Sequence, residues 1–177
     1  MIQPIGSIEP PLLVRLADTL VQSFCCSIAI NDAIEPPPAS YDLKRRQYMV
    51  SGLLPALLAA PASPGSKILG ITYYDICNPI FAFVFGEAQR DGRAAIISLA
   101  RLQPEYYGAP PNPERFFARV LTEAVHEIAH TIGLPHCAQP DCVMALSNSI
   151  VEIDRKGPNF CASCAHLLRA AADKGQT

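Results

Sequence analysis

The sequence predicts an α+β fold, with a mixed sheet backed by helices. Three observations lead there. Residues 112–132 carry apolar side chains at helical spacing behind a strong start signal. The runs over 68–74, 80–85 and 94–99 are rich in the β-branched and aromatic side chains that suit strands. Two more helical patterns precede them, so the order is helix, strand, helix, three strands, then one long helix. No repeat and no long linker interrupts this order, so the 177 residues are expected to form a single domain.

Taken in order, Leu13, Leu16, Leu20 and Phe24 mark an amphipathic helix over about residues 9–23. The run 26–30 reads as a short strand. Leu53, Leu54, Leu57 and Leu58 predict a second helix over about 45–60, after the Pro36, Pro37 and Pro38 break. Cys25, Cys26 and Cys77 sit in apolar stretches and are expected in the core. The long helix starts with Asn112 as cap, Pro113 at the first helical position and Glu114 in the first turn. Phe117, Val120, Leu121, Ala124, Val125, Ile128 and Ile132 then fall on one side.

On that helix lies the pattern HExxHxxGxxH. His126 and His130 are four apart and project from one face, away from the apolar stripe, with Glu127 about 100° round the helix from His126. Were the helix to continue, His136 would lie roughly 15 Å along the axis from His126, far beyond a zinc–nitrogen bond of about 2 Å. His136 joins the pair only if the helix stops. Gly133 suits a left-handed helix end, and Pro135 opposes further helix. Three imidazoles for a metal and a carboxylate to act as base compose a hydrolytic zinc site. The bland alternative is HExxH on an ordinary helix, with solvated or hydrogen-bonded histidines.

Cys137, Cys142, Cys161 and Cys164 follow with the spacing C-x4-C-x18-C-x2-C. Four thiolates enclose a structural zinc completely. Neighbouring side chains of an extended segment point apart, so His136 and Cys137 suit two different metals. Two disulfides or four buried thiols are the competing readings.

The run HExxHxxGxxH, the C-x4-C-x-M that brings in Met144, and the closing C-x2-C resemble the archaemetzincins, a branch of the metzincin zinc peptidases. The resemblance extends upstream through 83–88 and 97–102 and covers roughly residues 40–165. It implies a metzincin-like zincin: a twisted mixed sheet backed by helices, an active-site helix, and a small irregular C-terminal part. Residues 1–133 would form the upper sheet and helix part, and 134–177 the lower part. Carried over by position, His126, His130 and His136 would hold a catalytic zinc and Glu127 would be the general base. Cys137, Cys142, Cys161 and Cys164 would hold a structural zinc. Met144 would form the tight turn beneath the metal, and Gly133 would end the helix. The implied activity is peptide hydrolysis by zinc-activated water, with two Zn2+ per chain. By the same analogy, an extended substrate would pair antiparallel with an edge at 80–85.

Composition bears on the remaining classes. Lys and Arg total 14 against 16 acids, a net charge of −2, which gives no electrostatic case for nucleic acid. The flanks of the cysteine cluster pair Arg155, Lys156 and Arg169 with Asp141, Glu152 and Asp154, which argues against a nucleic-acid module there. Half of the residues are apolar, yet no apolar run reaches membrane-span length, so no membrane association is expected. Seven cysteines without a leader-like N-terminus lead to an expected cytoplasmic location. A peptide or protein is the expected partner, and a monomer the default. The alternative reading is a zinc-stabilised peptide-binding module with an idle site.

Overall fold

A computed structural model describes residues 1–174. The chain begins with β1 (Ile2–Ile5), then α1 (Pro10–Phe24), the short strands β2 (Tyr41–Asp42) and β3 (Gln47–Met49), and α2 (Val50–Ala59). Strands β4 (Ile68–Thr72), β5 (Ile76–Cys77), β6 (Gly86–Ala88) and β7 (Ala94–Ser98) follow. The long helix α3 (Pro113–Thr131) leads into α4 (Ile150–Lys156) and α5 (Ala162–Lys174).

The main sheet has the order β1-β4-β7-β6, with β1, β4 and β7 parallel and β6 antiparallel to β7. Every residue of β4 and β7 is buried, as befits strands covered on both faces. Alternation assigns the faces. Leu69, Ile71, Ala95 and Ile97 pack with Leu16 and Leu20 of α1 and Val120 and Ala124 of α3. Ile68, Ala94 and Ile96 pack with Val50, Leu53 and Leu57 of α2 on the other side. Gly70 permits that second contact: a Cβ there would lie 2.6 Å from Leu57 Cδ1. Strands β2, β3 and β5 form a separate three-stranded sheet.

The α+β class, both N-terminal helices and the long helix are as the sequence predicts, but five local expectations are corrected. The predicted strand at 26–30 is a ragged segment beside β1, tied by Ile2 N→Ala29 O at 2.8 Å and Asn31 N→Ile2 O at 3.0 Å. The second helix starts at Val50, not near 45, because Asp42 Oδ1 accepts the amides of Lys44 and Arg45 and turns the chain into a β2–β3 hairpin. Residues 80–85 are a loop rather than a strand. Asn78 Oδ1 caps the amides of Ile80 and Phe81, Arg45 holds the carbonyls of Asn78 and Phe81, and a single bridge of Val84 to Ile76 precedes the regular pairing of β6. Cys25 and Cys26 are exposed, since α1 ends at Phe24 and Cys25 takes its left-handed cap; only Cys77 is in the core. The C-terminal part, expected irregular, carries two helices, α4 being held at its start by Glu152 Oε2 on the amides of Asn148 and Ser149.

Leu57 is fully buried between α2 and β4. Leu57→Ala is expected to lower unfolding free energy by roughly 2–5 kcal/mol, read as a shift of the urea midpoint with an unchanged slope.

Candidate metal centre

Helix α3 is capped by Asn112 Oδ1, which accepts Arg115 N at 3.0 Å. Its far end is a Schellman motif: Gly133 N donates to His130 O at 2.9 Å and Leu134 N to Ala129 O at 3.1 Å, with Gly133 at φ +100°. The same stop orients a histidine, because the carbonyl of Leu134 accepts His130 Nδ1–H at 2.7 Å. One turn earlier on the helix, His126 Nδ1–H donates to Val143 O at 2.7 Å. A carbonyl can only accept, so both rings carry their proton on Nδ1 and direct an Nε2 lone pair inward.

The chain reversal after Gly133 brings His136 to the pair. His130 Nε2 lies 3.1 Å from His126 Nε2 and 3.3 Å from His136 Nε2. Nitrogens bound tetrahedrally at about 2.05 Å from one ion lie about 3.3 Å apart. These three histidines therefore fit a single zinc. Burial lowers the pKa of each, most strongly for His126, where the Lys156 ammonium and His130 add to it. Neutral imidazole is the ligating form.

Glu127, buried like His126, faces Gly86 on β6: a Cβ on Gly86 would sit 2.7 Å from Glu127 Oε1. Burial raises the Glu127 carboxyl well above the usual range; Glu123 and Glu87 push the same way and Lys156 opposes them. A cavity of about 560 Å3 opens between β6, the 81–85 loop and the histidines, and Leu146 also lines it. Strand β6 is the free edge beside it. Ser98 N→Phe85 O and Gln89 N→Ala94 O turn Phe85 and Gln89 towards β7, so Gly86 and Ala88 present their backbone groups outward.

The sulfurs of Cys137, Cys142, Cys161 and Cys164 lie within 4.8 Å of one another, and Cys137 Sγ is 3.9 Å from Cys161 Sγ. Tetrahedral thiolates at about 2.3 Å from zinc are about 3.8 Å apart, so this cluster also fits one ion. All four cysteines are free. The backbone amide of Cys164 is the largest influence that lowers the Cys161 thiol, to about 7, while burial raises Cys142. His136 and Cys137, adjacent in sequence, turn to different clusters. Met144 is fully buried between Val143 and Ala145, and its carbonyl accepts Cys137 N at 2.8 Å.

Comparison with known proteins places the chain in a family. The profile of Peptidase family M54 matches residues 39–170. The archaemetzincin of Methanocaldococcus jannaschii is 39% identical over 175 residues, covering 98% of this chain and 93% of the relative. The crystal structure of archaemetzincin from Methanopyrus kandleri superposes with a TM-score of 0.86 at 33% identity, over 97% of this chain and 93% of that one. The chain belongs to the archaemetzincins. A zinc-dependent peptidase from Methanocorpusculum labreanum also shares the fold, with a TM-score of 0.85 at 27% identity over 94% of this chain and 98% of that one. As a member of this family, the chain is a zinc metallopeptidase.

Sequence reasoning missed three groups that shape the archaemetzincin site. Gly86 lies in the 83–88 stretch that carries the resemblance, but neither its residue type nor its spacing pointed to a contact with Glu127. Glu123 was legible as a carboxylate one helical turn before Glu127, and Lys156 only as a charge near the cysteines. Gly86→Ala drives a methyl group against Glu127. Peptide cleavage should fall, by up to about 10²-fold for a displacement near 1 Å, with zinc content per chain unchanged by metal analysis.

Proposed function

We propose that this archaemetzincin hydrolyses peptide bonds at the three-histidine site, with Glu127 as general base and then general acid. The observation that carries the reading is the convergence of three Nε2 atoms with a buried carboxyl beside them at the floor of an open cleft. Zinc bound by His126, His130 and His136 supplies a Lewis acid and a water of near-neutral pKa. Glu127 takes the proton of the attacking water and delivers it to the leaving amine. An extended peptide adds to the edge of β6, bonded to the outward groups of Gly86 and Ala88 in place of the 80–85 edge expected from sequence. Main-chain pairing of this kind leaves side-chain selectivity to the cleft walls.

The second zinc belongs to Cys137, Cys142, Cys161 and Cys164 and has a structural role. Met144 packs beneath the histidines, and Gly133 ends the helix so that His136 reaches the metal. On this reading residues 1–133 form the upper part of one metallopeptidase domain and 134–174 the lower part, the last three residues of the expected 134–177 lying outside the described residues. Four cysteines gathered for a metal and none joined in a disulfide fit a reducing, cytoplasmic setting.

The decisive experiment is cleavage of a diverse peptide mixture by zinc-loaded protein, with Glu127→Gln as control. The amide cannot accept the water's proton, so activity should drop at least about 10²-fold while zinc content holds; retained activity would assign the base elsewhere. Metal analysis should approach two zinc ions per chain. Mild chelation should remove the first with a total loss of activity, because the histidine site keeps an open position whereas four thiolates enclose their ion. Loss of both ions in one step would contradict the division into two sites.

A further inference from the structure

A buried ion pair lies beneath the histidines and takes no part in the chemistry above. Lys156, the last residue of α4, and Glu123, one turn before Glu127 on α3, are both buried and both reach the cleft. Lys156 Nζ is 3.1 Å from Glu123 Oε1, 3.2 Å from Ala145 O and 3.4 Å from His126 Nδ1. The contact with Glu123 is one of charge more than of direction, since Oε1 meets no well-aligned donor. Nor does the ammonium bond to His126, whose Nδ1 proton is already committed to Val143 O. It lies against the ring edge instead.

Burying two charges is costly, and a well-packed apolar pair of similar volume would usually serve stability as well or better. What the apolar pair lacks is the tie to the turn. Standing on α4, Lys156 donates one hydrogen bond to Ala145 O at 3.2 Å in the turn at 143–145 and meets Glu123 of the catalytic helix through charge at 3.1 Å, so three separate pieces of chain are held at one ammonium. That turn presents the Val143 carbonyl that fixes the His126 ring. The carboxylate cancels the lysine charge, which matters beside a site built for a dication.

We propose that Lys156, neutralised by Glu123, is a positioning residue that pins the 143–145 turn against the catalytic helix and so sets the orientation of His126 for zinc. The pair acts through His126 and touches neither substrate nor metal. The inference rests on the proposed zinc site at His126, His130 and His136.

Two variants test it: Lys156→Met, and the double variant Glu123→Gln with Lys156→Met, in which neither charge is left alone. Zinc affinity of the histidine site is measured by competitive chelation, with the cysteine site as internal reference. The visible spectrum of cobalt-substituted protein reports ligand geometry directly. Both variants should bind zinc at the histidines about 10–100-fold more weakly, as when a group that orients a ligand is lost. The cobalt bands should shift, the cysteine site should be unaffected, and kcat should fall with KM steady. Should Lys156→Met fail to fold, the double variant decides. Wild-type affinity and spectrum in the double variant would overturn the proposal, leaving the pair as a device that merely offsets its own burial. A raised KM with wild-type affinity would overturn it as well, by placing Lys156 in substrate binding. A wild-type protein that holds no zinc at the histidines would instead refute the underlying site.

Discussion

Everything at the candidate site depends on where one helix stops. A zinc ion accepts nitrogen only at about 2 Å, and an α-helix advances 1.5 Å per residue, so a third histidine six residues past His130 is unusable while the helix continues. Gly133 at φ +100° ends it, in a conformation that side chains with a Cβ rarely adopt. The stop then does double service. Leu134 satisfies the carbonyl of Ala129 with its amide, and with its own carbonyl it orients the ring of His130. A covalently close group therefore couples the end of the helix to the direction of a candidate ligand.

The segment after the stop joins the two metal-like clusters mechanically. Cys137 N bonds Met144 O, Val143 O holds His126, and Val143 N is bonded to Asn159 O two residues before Cys161. Ordering the cysteine cluster therefore also places the carbonyl that orients a histidine. On the proposed reading the structural zinc contributes to catalysis at one remove, by fixing the floor against which the catalytic helix packs. Arg119 reinforces the same junction from the far side: its guanidinium bonds Asp154 of α4 twice, at 2.6 and 2.7 Å, and also reaches the Leu102 carbonyl.

What was legible in the sequence follows from this physics. HExxHxxGxxH and the four cysteines are local in sequence, so both clusters could be picked out from residue offsets, with Gly133 and Pro135 marking the helix stop that His136 needs. The helices α1 and α3 carry one-sided apolar stripes and were equally plain. β1 was not: Gln3 and Pro4 break any alternation, yet all four residues are buried because β4 and the 29–34 segment flank them. The loop at 80–85 looked like a strand because Ile80, Phe81, Phe83, Val84 and Phe85 favour one. Asn78 and Arg45 overrode that preference through bonds to backbone groups, one of them from 33 residues away. Glu123 and Lys156 meet across 33 positions of sequence, and no periodicity connects them.

The central claim is that three imidazoles converge on one zinc while four thiolates hold another. Zinc K-edge X-ray absorption on protein loaded with two equivalents of zinc tests it most directly. Two zinc–ligand distances of equal weight are expected, nitrogen and oxygen at about 2.0–2.1 Å and sulfur at about 2.3 Å. Sulfur ligands alone would contradict the claim, since the histidines would then hold no metal.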